Sequence, residues 1–243
     1  MKCVTQHRAL TLEKTKKRIQ MGESHRTEDF FAHAIKTGYR DENELAKQAE
    51  VFINAGASTS AQTLATVMWF LSAPAHAHYL ARLKEEVRGS FAKYEDITSD
   101  TVSQLSYLNA VLEETMRVFP PSPVGPPRIS PGEKIDGIYV PKGVYVSTDI
   151  WSLHRDPRLM ERPEEFDPER WLGSNRPYTV PFSIGPRMCI GVNLAYIEMR
   201  IILAKLVYSY DWALTQDVDW LESSKLFQLW TKPDLMVQFT PAQ

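Results

Sequence analysis

The chain has little with which to staple itself or to span a membrane. Its 243 residues include two cysteines, Cys3 and Cys189. So few, so far apart, argue against a disulfide scaffold and for a reducing compartment. Cys3 reads as incidental. No apolar run reaches the roughly 20 residues that a membrane-crossing helix needs, and the best candidate, Leu64 to Ala73, is about half that length. The N-terminus, Met1-Lys-Cys-Val-Thr-Gln-His-Arg8, lacks the apolar core of a signal peptide. A formal net charge of −2 leaves no basic excess to suggest a nucleic-acid partner. Lys14-Thr-Lys-Lys-Arg18 reads as the solvated face of a charged helix. There is no internal repeat and no low-complexity tract. What remains is a chain with 43% hydrophobic residues, enough for a real core.

Periodicity makes that core mainly helical, with a minor β part. Helices are expected over residues 7–20, Glu28 to Thr37 with Gly38 as its stop, and Glu42 to Ser72. Pro74 ends that helix or begins the next, which runs to about Phe91. Asp100 to Phe119 reads as one more helix, with Leu105, Leu108, Val111, Leu112 and Thr115 on one apolar face and Pro120, Pro121 and Pro123 as its stop. Ile135 to Val140 and Val144 to Ser147 read as short strands around the turn Pro141-Lys-Gly143. Residues 156–188 are irregular and proline-rich. Phe227 to Thr240 reads as two short strands around Lys232-Pro-Asp234. No convincing linker appears, so residues 1–243 are expected to form a single domain.

The most informative segment is Phe182-Ser-Ile-Gly-Pro-Arg-Met-Cys-Ile-Gly191. A lone cysteine stands between glycines, with an arginine two residues before it and a long apolar helical run, Val192 to Tyr208, directly after. First-turn N–H groups and the helix dipole favour a thiolate there. Gly185 and Gly191 let the backbone pass close to a large flat ligand. Such a sulfur suits a haem iron that needs a strongly electron-donating axial ligand. The bland alternative is a buried, inert cysteine.

This decapeptide resembles the haem-binding loop of the cytochrome P-450 family, Phe-x-x-Gly-x-Arg-x-Cys-x-Gly, at Phe182, Gly185, Arg187, Cys189 and Gly191. A second motif is Glu114-Thr-Met-Arg117. Periodicity alone puts both charges away from the apolar face, as an exposed i, i+3 pair worth a few tenths of a kcal/mol. The resemblance implies otherwise: in the family the pair joins an arginine from a Pro-Glu-Arg segment, here Arg170 in Phe166-Asp-Pro-Glu-Arg-Trp171, in a partly buried cluster that fixes geometry. His154, in a His-Arg-Asp-Pro segment, is implied to be structural and not an iron ligand. Arg187 and Arg128 are implied haem-propionate partners, since arginine forks suit carboxylates.

The third motif is Ala55-Gly56-Ala57-Ser58-Thr59, inside a long helix. Glycine there costs about 1 kcal/mol against alanine, so it needs a reason. A small-residue packing face is one. The resemblance supplies another: the family's oxygen-activating helix, where Gly56 would leave a groove for dioxygen and the Thr59 hydroxyl would hydrogen-bond it and pass protons. Ser58 stands where the family usually has Asp or Glu. The nearest upstream acid is Glu50, and none follows until Glu85. A serine can relay a proton through water but cannot store one near neutral pH.

The motifs run in the family's order over nearly the whole chain, yet correspond only to the C-terminal half of a fold about twice as long. The wording around Cys189 is similar to fungal members in secondary metabolism. The resemblance implies a haem-dependent monooxygenase that inserts one oxygen atom from O2 into a lipophilic small molecule, with electrons from NADPH through a reductase. Full-length members sit on the cytosolic face of the endoplasmic reticulum membrane; this stretch alone would be cytoplasmic. Two alternatives stay open: a catalytically inactive truncated haem-thiolate chain, and a haem-thiolate enzyme performing rearrangement or dehydration, motivated by Ser58.

Overall fold

The computed structural model describes residues 2–22, 29, 31–39, 41–216, 219–227 and 229–242, with side chains from residue 8 onward. The Cys3 side chain and Glu28 lie outside that set. The chain forms two compact units, Met1–Ser58 and Thr59–Gln243.

In the first unit, α1 (Lys2–Gln20) and α2 (Ala32–Lys36) accompany the opening turns of α3 (Glu42–Ser72). Ile35 and Leu45 are buried, and Arg8 pairs with Glu50 at 3.1 Å. Lys14, Lys16 and Lys17 are exposed on α1, as a solvated face.

In the second unit α3 continues from Thr59 to Ser72. A short 3-10 turn at Pro74–His76 redirects the chain into α4 (Ala77–Ser90). The helix expected over residues 100–119 is two: α5 (Ser99–Ser103) and α6 (Ser106–Val118), broken at Gln104-Leu105. Thr98 caps α5 through a reciprocal bond with Thr101, whereas α6 has no side-chain cap of its own. Glu86 of α4 replaces it, accepting the amides of Tyr107 and Leu108 at 2.7 and 2.8 Å. A carboxylate there satisfies two orphan donors and meets the positive end of the helix dipole.

After the prolines come β1 (Arg128–Ile129), β2 (Glu133–Ile135), β3 (Ile138–Val140) and β4 (Tyr145–Val146). The run from Ile135 to Val140, expected as one strand, contains a turn. Asp136 and Gly137 both have positive φ, +49° and +79°, and join β2 to β3 as a two-residue hairpin, while β4 pairs with β1. Asp-Gly is the pairing that such a turn favours. Further on are α7 (Ile150–Leu153), α8 (Val192–Ser209), β5 (Tyr210–Leu214), β6 (Lys225–Leu226), β7 (Trp230–Thr231) and β8 (Val237–Pro241). The last two are strands as expected, but β7 pairs with β6 and β8 with β5, not with each other.

The core lies among α3, α4, α5, α6 and α8. Leu71, Leu83, Val102, Leu108, Leu112 and Leu203 are fully or almost fully buried there. Burial of each such side chain contributes about 1.5–3 kcal/mol. Helix α6 sits in the middle of this packing and is buried on nearly every side from Tyr107 to Val118. That makes it the platform on which the candidate site is built.

Candidate functional site

Glu114 and Arg117 of α6 are both 0% exposed. The exposed pair that periodicity alone suggests is therefore not what the fold contains. Arg117 Nε donates to Glu114 Oε2 and Nη2 to Oε1, both at 2.8 Å. Its other N–H groups reach carbonyls of His154 (3.0 Å), Pro163 (2.6 Å) and Glu165 (2.8 Å), so the whole guanidinium fork is satisfied. Glu114 Oε1 also accepts Arg170 Nε at 3.0 Å and the Asp167 amide at 2.8 Å, and Oε2 accepts Trp171 Nε1 at 2.8 Å. Glu114, Arg117 and Arg170 thus meet at one carboxylate. Trp171 belongs to the same hub and was not singled out from the sequence. Its position beside Arg170 is the available signal, because a buried indole N–H requires an acceptor.

The segment from His154 to Trp171 wraps around this hub. A 3-10 turn over Pro168–Trp171, capped by the Asp167 side chain, aims Arg170 and Trp171 at Glu114. His154 is fully buried, and its Nε2 accepts the Val180 amide at 2.8 Å. Burial pushes its imidazole down to about 4, so the ring is neutral with the proton on Nδ1. Arg155 stacks on Trp151 at 3.3 Å, donates to the Val118 carbonyl and pairs with Glu164 at 3.0 Å.

Two residues beyond Val180 the cysteine loop begins. Phe182 is half-buried against the core, and its carbonyl accepts the Cys189 amide at 2.9 Å. Between them Ser183 and Gly185 take positive φ, +59° and +75°. Only glycine enters that region without strain, which gives Gly185 its reason. Pro186 and Arg187 complete a 3-10 turn, and the Met188 amide returns to the Gly185 carbonyl at 3.0 Å. Gly191 caps α8 by its backbone; a Cβ there would stand 3.8 Å from Cys189 Sγ. Cys189 is therefore a free, exposed thiol just ahead of an 18-residue helix. Around it Ile184 is 65% exposed and Ile190 77%, with Met188 and Leu194 about half exposed. The cysteine is thus not buried, as the bland reading had it.

The remaining residues predicted from the sequence lie elsewhere. Arg128 is exposed on β1 and bonds the nearby Pro126 and Pro127 carbonyls. Gly56 is exposed on α3 in the first unit; a Cβ there would meet nothing within 4 Å, so no packed neighbour explains the glycine. Ser58 ends that unit and Thr59 opens the second, both half-buried on α3. The Thr59 carbonyl accepts the Thr63 hydroxyl at 3.0 Å.

Residues 1–239 match the cytochrome P-450 family. The cytochrome P-450 monooxygenase poxC of Penicillium oxalicum is 40% identical over 228 residues, covering 87% of this chain and 47% of that protein. The trichothecene C-15 hydroxylase of Fusarium sporotrichioides is 41% identical over 209 residues, covering 82% of this chain and 42% of that protein. The cytochrome P-450 monooxygenase btcC of Neocamarosporium betae is 41% identical over 212 residues, covering 81% and 41%. The chain thus spans about half the length of the curated relatives it matches. Matched over nearly its whole length, it belongs to the cytochrome P-450 family.

Proposed function

We propose that this chain is the cysteine-bearing part of a haem-thiolate monooxygenase domain that inserts one oxygen atom from O2 into a lipophilic small molecule. The family implies a haem iron cofactor and electrons from a redox partner. The observation that carries the reading is the loop from Phe182 to Gly191, which presents one free sulfur on an apolar shelf and is backed by α8 and the Glu114 hub.

The residues present fit that cofactor. A thiolate is a soft, electron-rich donor suited to iron. Ile184, Met188 and Ile190 offer apolar surface beside it, and Gly185 and Gly191 keep the backbone free of side chains there. Arg187 and Arg128 are the propionate partners in this reading, and Phe182 backs the loop. When bound, the thiolate-ligated iron supplies oxygen activation and cleavage of the O–O bond.

The chain's own residues do the rest. In this reading Gly56 would leave room beside α3, the Thr59 hydroxyl would be the hydrogen-bond donor and proton carrier for dioxygen, and Ser58 would relay protons through water. Glu114, Arg117 and Arg170 hold the scaffold that aims the loop. The electron donor is an NADPH-dependent reductase. The full-length protein sits on the cytosolic face of the endoplasmic reticulum; among the described residues no helix is long and apolar enough to cross a membrane. Secondary metabolism is the proposed setting, consistent with a relative named as a trichothecene hydroxylase. Ser58, in place of the usual acid, favours a second reading for the same site, rearrangement or dehydration, which demands less proton delivery.

The test is the reduced, carbon-monoxide difference spectrum of the purified chain supplied with haem. A thiolate-type Soret band that vanishes in Cys189→Ser is the expected result. A histidine-type spectrum, or no haem uptake, overturns the assignment of Cys189 and leaves a catalytically inactive chain as the better reading.

A further inference from the structure

Glu113 stands beside Glu114 on α6 but faces different partners. Its Oε1 accepts the Tyr196 hydroxyl at 2.7 Å. Burial raises the Glu113 carboxyl above its ordinary value, against the lowering by that bond and by the charges of Arg200 and Arg176. Burial and the nearby Glu113 raise the Tyr196 phenol as well. The pair is therefore held in a sheltered place, with the phenol as donor and the carboxyl oxygen as acceptor.

Tyr196 lies on α8, seven residues after Cys189. The Arg200 guanidinium sits 4.7 Å from the centre of its ring. Arg200 is itself fixed, donating to Asn109 Oδ1 of α6 at 2.6 Å, and Asn109 is tied to the Leu105 carbonyl at 2.6 Å. The Tyr196 ring also meets the ring of Phe182, with centroids 5.1 Å apart. Phe182 opens the cysteine loop, and its carbonyl takes the Cys189 amide at 2.9 Å. An unbroken series of contacts runs from α6 through Glu113, Tyr196 and Phe182 to the backbone of Cys189.

We propose that Tyr196 and Glu113 are positioning residues for the cysteine ligand: their hydrogen bond sets the Tyr196 ring, the ring sets Phe182, and the Phe182 carbonyl sets Cys189. This rests on the reading of Cys189 as the haem ligand. Helix α6 thereby serves two neighbours with adjacent carboxyl groups, Glu114 for the hub and Glu113 for the loop. A carboxyl acceptor, not a negative charge, is what the arrangement uses, so glutamine can take the place of Glu113.

Amide hydrogen exchange at Cys189 in the haem-free chain reads this directly. Losing one hydrogen bond and its packing corresponds to about tenfold faster exchange, expected in Glu113→Ala and Tyr196→Leu. Glu113→Gln should stay within about twofold of the parent, because a neutral acceptor costs little when geometry is kept. Tyr196→Phe, which keeps the ring and loses the bond, should fall between. In the haem-loaded chain the share of the thiolate-type carbonyl band should fall in the same order. Protection of the α6 amides is the folding control. If Tyr196→Leu unfolds α6, then Tyr196→Phe and Glu113→Gln decide. Unchanged Cys189 exchange in a folded Tyr196→Leu or Tyr196→Phe overturns the proposal, as does a Glu113→Gln as damaging as Glu113→Ala. A parent with no thiolate-type band defeats the ligand assignment instead, while the exchange rates still decide whether Tyr196 holds the loop.

Discussion

The Glu114 hub and the Cys189 loop are joined by a few residues and built on opposite terms. In the hub, one carboxylate gathers two arginines, an indole and a backbone amide, and Arg117 spends its remaining donors on three carbonyls. Nothing there is left for a ligand. In the loop, the sulfur is exposed and large apolar side chains face outward. The hub is complete within its own chain. The loop turns its sulfur and its apolar side chains outward. Buried ion clusters contribute uncertain net stability but fix geometry strongly, which suits a part whose task is to hold another part still.

The largest expected effect breaks that contrast at its centre. Glu114→Gln replaces an acceptor-only carboxylate with an amide whose single NH2 must face donors whichever way it is turned: Arg117, Arg170 and the Asp167 amide in the place of Oε1, or Arg117 and Trp171 in the place of Oε2. Breaking a buried pair from one side typically costs about 3–5 kcal/mol. Cys189→Ser in the haem-free chain should stay within about 0.5 kcal/mol, as exposed substitutions usually do. Urea unfolding followed by circular dichroism compares the two. A Glu114→Gln cost no larger than that of Cys189→Ser would refute the division into scaffold and site.

His154 tests the seam between the two regions. Its carbonyl serves Arg117 and its Nε2 serves Val180, two residues from Phe182. Burial holds the folded imidazole at about 4, below its ordinary 6.5. Between those values the unfolded chain binds the extra proton, so stability falls as pH falls. The loss begins near pH 6.5 and is complete a little below pH 4, amounting to about 3 kcal/mol. His154→Gln keeps an acceptor without titrating. The parent should weaken relative to that variant across this window, read as midpoint denaturant concentration against pH. Parallel curves would mean that the histidine is not held neutral.

How far the sequence revealed all this differs between the two regions for physical reasons. The loop is legible because its requirements are local: φ at Gly185 and a sulfur ahead of a helix are properties of ten consecutive residues. The hub is not legible from periodicity, which treats Glu114 and Arg117 as solvent-facing. Their burial depends on residues 154–171 folding back over α6, and only the family resemblance anticipated that. The break between α5 and α6 is masked because Leu105 continues the apolar spacing. The β2–β3 turn is masked because Ile135 and Ile138 flank Asp136-Gly137 with residues that favour strands. Tyr196 and Glu113 had no sequence signal at all, since an acid on α6 and a tyrosine 83 residues later meet only through helix packing.

Lys232 offers the smallest and most delicate contrast, a half-buried cation satisfied without a carboxylate. Its Nζ donates to Thr66 Oγ1 at 2.6 Å and lies 4.2 and 4.4 Å from the ring centres of Phe119 and Trp220. Among the described residues it forms no ion pair. Burial pushes the amine down to about 7, from an ordinary 10.5. The two ring faces oppose that shift, each favouring the charged form by about 1 kcal/mol. Between pH 7 and 10.5 the unfolded chain carries the extra proton, so stability rises with pH, the opposite edge from His154. Burial alone would give about 4 kcal/mol over that range, and the rings reduce it to about 2 kcal/mol. Measured against Lys232→Met, which cancels every other titration, the parent should gain that amount between pH 7 and 10. A flat difference would show that the rings offset burial fully.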